Sequence, residues 1–103
     1  MKIFRDYRGQ SIRLTEERRK HILEHPEMKG MLRYIKESLF EPQRVIQSLS
    51  DKEASLYYRF YFGTKVGNKY VCVVVKMVKQ DAFVLTAYLT DSIKKGEIIW
   101  LRE

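Results

Sequence analysis

The chain of 103 residues contains two histidines, His21 and His25, and both lie in the stretch Arg18-Arg19-Lys20-His21-Ile22-Leu23-Glu24-His25-Pro26. This segment reads as the end of a helix closed by its proline. A spacing of four places both imidazoles on one helix face, and imidazole is the side chain that exchanges protons near neutral pH without any help from its surroundings. On a helical wheel Ile22 and Leu23 centre the buried stripe, while Arg18, His21 and His25 run along its edge. There a side chain is oriented and still reaches a ligand. Acid–base work is one chemistry that fits. The plainer alternative is a pair of surface histidines near a helix C-terminus, where their cations meet the helix dipole favourably.

A third reading is metal binding. His21-Ile22-Leu23-Glu24-His25 matches the H-x-x-E-H pattern, in which two histidines hold zinc and the glutamate is the base. Such a site needs a further protein ligand, and the chain has no third histidine and no helical pattern after its strands to bring a carboxylate. No metal and no cofactor are therefore expected. Cys72, the one cysteine, excludes an intramolecular disulfide. Within a valine-rich segment it reads as a small buried hydrophobe.

The elements that must position these residues follow from periodicity. Thr15 with Glu16 and Glu17 is an N-cap and an acidic first turn, so the first helix is expected over residues 16–25. A second, from 26 or 27 to 40, carries Met28, Met31, Leu32, Ile35 and Leu39 near the 3.6-residue period. Ahead of them, Lys2-Ile3-Phe4 and Ser11-Ile12-Arg13-Leu14 suggest a small hairpin. From Arg44 onward the period is two, with strands expected at 45–49, 55–62, 69–79 and 83–90 and a short amphipathic tail at 92–100 forming a closing turn or edge strand. The expectation is one α+β domain over residues 1–103, with two N-terminal helices packed on one face of a roughly four-stranded antiparallel β-sheet, a meander.

Alternation then divides the strands. With Val71, Val73, Val75 and Met77 toward the helices, Lys76 faces the other way. On the last strand Phe83, Leu85, Ala87 and Leu89 are the natural core set, joined through Gln80-Asp81-Ala82, which leaves Thr86 and Tyr88 outward with Lys76 beside Thr86. Placing Leu56, Tyr58, Phe60 and Phe62 inward leaves Tyr57, Arg59 and Tyr61 outward. The open face would then present Tyr57, Arg59, Tyr61, Lys76, Thr86 and Tyr88, cations and hydroxyls without a carboxylate, suited to a phosphate backbone and to base stacking. Half-exposed strands carry the same residue types for propensity and solubility alone.

Lys and Arg number 20 against 13 Asp and Glu, a formal charge of +7, which favours a polyanionic partner such as nucleic acid. The basic residues are scattered and form no basic amphipathic helix, so a membrane surface is not expected. With neither a signal-like segment nor a long apolar run, the expectation is a soluble cytoplasmic protein.

Taken in order, Leu14 through Met28 with its H-x-x-x-H-P, then Phe40-Glu41-Pro42, Tyr57-Tyr58-Arg59, Tyr70 through Lys76, and Val84-Leu85-Thr86-Ala87-Tyr88 resemble the phage-associated nuclease-like domains of the BECR superfamily. That superfamily groups barnase, EndoU, colicin RNase and RelE-like toxins. The resemblance covers roughly residues 12–100. It implies metal-independent RNA cleavage on the open sheet face, with His21 and His25 matching the helix histidines, Lys76 the strand lysine, and Thr86 with Tyr88 the T-A-Y strand. On this reading one histidine is acid or base, Lys76 and Arg59 hold phosphoryl oxygens, Thr86 adds a hydrogen bond, and Tyr57 or Tyr88 stacks, with Arg18 alongside. RNA is the implied partner, together with a cognate inhibitor or antitoxin. A non-catalytic nucleic-acid-binding module and a RelE-type ribosome-dependent mRNA interferase are the competing functions.

Overall fold

Strand periodicity dominates the chain, and the computed structural model, which describes residues 1–102, gathers seven strands into one sheet. In chain order these are β1 (Lys2–Arg5), β2 (Ser11–Leu14), β3 (Arg44–Ser48), β4 (Ala54–Thr64), β5 (Gly67–Val78), β6 (Asp81–Thr90) and β7 (Gly96–Leu101). Helices α1 (Glu16–Leu23) and α2 (Leu32–Phe40), separated by a 3-10 turn at Pro26–Met28, lie between β2 and β3. Across the sheet the order is β1-β2-β6-β5-β4-β3-β7. Neighbours are antiparallel except β2 and β6, which run parallel where Arg13 meets Phe83. No helix among the described residues is long and apolar enough to cross a membrane.

The four-stranded antiparallel meander behind two N-terminal helices is thus corrected to a seven-stranded mixed sheet, which takes in the expected hairpin ahead of the helices as β1 and β2 and the tail's edge strand as β7. The physical reason is length. Strands β1, β2 and β7 hold four to six residues each, too few for their pattern to show that they join the main sheet. The parallel pairing of β2 with β6 joins distant segments that local pattern cannot connect.

Helix ends explain where the histidines sit. Thr15 caps α1 as its residue type suggests, its Oγ1 accepting from the Arg18 backbone N–H at 3.2 Å. The helix stops at Leu23, short of the expected His25. A residue before proline is pushed out of helical geometry, and His25 is extended at φ −75°, ψ 121°. Gly30, at φ +77°, then breaks the chain again, so α2 starts at Leu32.

Both helices cover one sheet face. Ile22, Met28, Met31, Ile35 and Leu39 pack there against Ile12, Leu14, Val45, Tyr57, Val71, Val73, Val75, Val84 and Ala87, each large apolar side chain contributing about 1.5–3 kcal/mol through burial. Two registers differ from expectation. On β4 the helix-facing set is Tyr57 and Tyr61, because Tyr57 pairs with Val73 while Leu56, Tyr58 and Phe60 pair with Val74, Cys72 and Tyr70. On β6 the connection is a two-residue turn, Lys79-Gln80, with Val78 opposite Asp81, and a bulge follows: Val75 pairs with Val84 but Val74 with Thr86. Val84 rather than Phe83 therefore enters the core. Lys76 pairs with Phe83, not Thr86. Aromatic or apolar residues at both parities of these strands left the alternation without a unique reading.

Candidate functional site

The sheet face away from the helices is itself half covered. The segment between β6 and β7 crosses it and drops Ile93 onto a second, smaller cluster of Ile46, Leu56, Tyr58 and Cys72, flanked by Tyr70, Val74 and Tyr88. Its anchor is the Lys94 backbone N–H, which donates to the Tyr58 hydroxyl at 3.1 Å.

Two clefts flank this crossing. One, of about 400 Å³, is lined by Gln43, Arg44, Tyr58, Tyr70, Ile93, Leu101 and Arg102. The other, of about 370 Å³, has a floor of Leu56, Val74 and Leu85, with Lys94, Lys95 and Asp51 among its polar lining. The first is the better anion site. Neither Arg44 nor Arg102 has a carboxylate partner among the described residues, and no carboxylate lines the cleft. Two guanidiniums without counterions beside aromatic rings suit an oxyanion attached to a planar base. Burial pushes the Tyr58 hydroxyl up to about 12. It therefore stays protonated at neutral pH. Tyr88, paired with Cys72, has a buried hydroxyl with no hydrogen-bond partner. Its pKa is raised by burial and then by Cys72. Burial likewise raises the Cys72 thiol, which leaves it unreactive at neutral pH.

The sequence-derived residues divide between the two faces. Lys76, Thr86 and Tyr88 share the face with the clefts. Lys76 is not a free cation: its ammonium pairs with Asp51 and lies 3.6 Å from Glu53. The hydrogen bond to Asp51 raises the lysine and lowers the carboxyl, so the expected absence of carboxylates does not hold. Tyr57 is corrected to a core residue, fully buried, with its hydroxyl donating to Asp6 at 2.8 Å. Arg59 also points to the helix side. It donates to the Glu41 carbonyl at 2.6 Å and lies 5.7 Å from the centre of the Tyr61 ring.

His21 and His25 are exposed on the helix side, with perpendicular rings 6.1 Å apart and His25 Nδ1 3.7 Å from Glu27. The two imidazoles meet each other but not Lys76 or Thr86, because α1 and the 3-10 turn pack on the opposite face of the sheet from those side chains. Arg18 lies half-buried on α1. Among the described residues no three His, Cys, Asp or Glu side chains gather in one place.

Arg44, Tyr58, Tyr70, Lys94 and Arg102 escaped sequence reasoning. Reversing the parity of β4 would have exposed Tyr58, and with it its partner strand. Arg102 reaches the cleft only because β7 pairs with β3, placing Arg44 opposite Leu101, which has no local signature.

Residues 1–102 match the family described as phage-Barnase-EndoU-ColicinE5/D-RelE like nuclease2. No curated protein and no solved structure matches the chain.

Proposed function

Because the chain belongs to this phage Barnase-EndoU-ColicinE5/D-RelE like nuclease family, we propose that it is an endoribonuclease that cuts RNA in the cleft holding Arg44, Arg102, Tyr58 and Tyr70. RNA supplies its own nucleophile. The 2′-oxygen attacks the adjacent phosphorus as solvent water takes its proton, the bond to the 5′-oxygen breaks, and that oxygen takes a proton back from solvent. The products are a 2′,3′-cyclic phosphate and a 5′-hydroxyl. The observation that carries this reading is the pair of guanidiniums, neither with a carboxylate partner among the described residues, beside the two tyrosines.

In this scheme Arg44 and Arg102 hold the phosphoryl oxygens as charge accumulates on them. The buried Tyr58 hydroxyl accepts from the Lys94 backbone N–H, which holds the crossing segment in place as one wall of the cleft. No imidazole or carboxylate of the described residues lines the cleft, so the rate comes from electrostatic stabilisation rather than from a strong base. Thr86 and Tyr88 support the same face from β6. An acidic inhibitor that covered the two arginines would silence the enzyme.

One observation favours a second reading: the two imidazoles lie within one patch, 6.1 Å apart, as an acid and base acting together would. End-mapping of RNA incubated with the protein in EDTA separates the two. The first reading expects cyclic-phosphate ends, a loss of roughly 100-fold or more in Arg44→Ala/Arg102→Ala, and activity retained in His21→Ala/His25→Ala. The converse pattern assigns catalysis to the histidines. Intact RNA with salt-sensitive binding makes the protein a non-catalytic binding module, and cleavage only on ribosomes makes it RelE-like.

A further inference from the structure

Phe62 belongs to neither the core nor the cleft. Its side chain is 81% exposed, so it contributes almost nothing to folding through burial. It is the outer end of a continuous row of rings. Tyr58 and Tyr70 lie 6.2 Å apart, Tyr70 and Phe60 4.9 Å, and Phe60 and Phe62 5.2 Å, each pair close to perpendicular. The row starts at a buried ring in the cleft wall, passes through half-buried Tyr70 and Phe60, and ends in solvent near the β4–β5 turn. Tyr58, Phe60 and Tyr70 share one face because Tyr58 pairs with Cys72 and Phe60 with Tyr70, and Phe62 meets Phe60 edge-on where the pairing becomes irregular beyond Tyr61.

We infer that Tyr70, Phe60 and Phe62 form a stacking track for single-stranded RNA, leading the strand from the cleft outward along the β4–β5 hairpin. The inference rests on the RNA reading above and extends it to substrate class and length. Tyr70 lies beside Phe60, so a strand rise of about 3.3 Å per residue gives the track a length of about 7 Å between positions 60 and 62. That is room for about two stacked bases at ~3.4 Å each. Cations stand at both ends. Arg44 and Arg102 line the cleft, and near the hairpin tip the Lys65 ammonium donates to the Lys29 carbonyl at 3.0 Å. Rings supply sequence-tolerant stacking and cations hold the backbone, the combination by which single strands are bound. A duplex hides its base faces and gains nothing from such a row. A protein partner would use the same apolar surface, but cations at its ends and a charge of +7 favour a polyanion.

The test uses fluorescently labelled 2′-O-methyl oligouridylates, which lack the attacking hydroxyl, so that binding is read by anisotropy whether or not the protein cuts ordinary RNA. The wild-type protein is expected to bind a probe of about eight nucleotides more tightly than a dinucleotide. In Phe62→Ala that gain with length should fall by roughly five- to hundred-fold, and Phe62→Tyr should restore it. A base-paired probe of the same length should show no gain. Equal affinity of wild-type protein for the long and short probes, or an unchanged gain in Phe62→Ala, overturns the track. If self-association by sedimentation is instead lost in Phe62→Ala while RNA affinity is unchanged, the row is a protein contact and the inference fails. Absence of cleavage of ordinary RNA with the length-dependent binding intact would refute the nuclease reading and leave the track standing.

Discussion

The buried pair Tyr57 and Asp6 allows a quantitative test of how the first hairpin is tied to the sheet. Asp6 is 1% exposed and Tyr57 fully buried. Carboxylate Oδ1 accepts from the backbone N–H groups of Arg8 and Gln10, each at 2.9 Å, and Oδ2 accepts from the Tyr57 hydroxyl at 2.8 Å. Tyr57→Phe removes the one hydroxyl donor to a buried anion and leaves Oδ2 with only the Arg8 Nε at 3.9 Å. A hydrogen bond to a charged group is worth about 1.5–3 kcal/mol. For a domain of this size about 2 kcal/mol lowers the thermal midpoint by roughly 8–16 °C. The assay is urea and thermal unfolding at neutral pH, with Tyr61→Phe as control. The Tyr61 hydroxyl bonds Glu37 at 2.8 Å in a partly exposed setting, so its loss should cost less, about 0.5–1 kcal/mol. A double-mutant cycle with Asp6→Asn isolates the pair. If Tyr57→Phe stays within about 0.5 kcal/mol of the parent, or loses no more than Tyr61→Phe, the argument that Asp6 is held as a buried anion is wrong.

Two further predictions concern the rest of the fold. A Cβ at Gly96 would land on the Gln47 carbonyl oxygen and the Ile46 side chain, so Gly96→Ala should prise β7 from β3, cost about 1–3 kcal/mol, and deprotect the β7 amides in hydrogen exchange before those of β5. Alkaline pH should also destabilise the protein. From an ordinary value of 10.0, Tyr58 and Tyr61 are raised to about 12, and Tyr57 and Tyr88 are raised as well, burial being the first cause in each. Above pH about 10 the unfolded chain releases protons that the folded protein keeps. The contribution is therefore fully present below 10 and is lost as the pH rises toward the folded values. Urea midpoints that stay flat from neutral pH to about 11 would contradict that coupling.

The sequence was most legible where one residue acts on its neighbours. Thr15 announced the start of α1. Pro26 announced an end, though its effect on His25 was underestimated: the same proline that closes the helix forces the preceding histidine out of it, and the shared helix face for His21 and His25 disappears. The central strands were legible as strands because Val71, Val73 and Val75 keep a strict period. Short β1 and β2 were legible as a hairpin and β7 as an edge strand, but not their membership of the one sheet, which rests on distant partners such as Trp100 of β7, stacked on Tyr7 at 4.9 Å.

Which face a side chain occupies was harder to read, and the candidate site depends on it. On β4 the run Leu56-Tyr57-Tyr58-Arg59-Phe60-Tyr61-Phe62 is apolar or aromatic at both parities, so hydrophobic alternation cannot choose between them. What chooses is hydrogen bonding. A buried tyrosine needs a partner for its hydroxyl, and Asp6 and Glu37 are available on the helix side for Tyr57 and Tyr61, whereas Phe60 and Phe62 have no hydroxyl to satisfy. Those acceptors lie tens of residues away in the chain, and their availability follows only from the β1–β2 turn and α2 being in place. The bulge on β6 works the same way, letting Val84 and Ala87 both enter the core while Thr86 and Tyr88 stay on the other face. The candidate nuclease face is therefore the surface left over once the tyrosines with partners have been buried. The arginines that have no carboxylate partner among the described residues, and the rings of Tyr70, Phe60 and Phe62, are what that leaves on this face.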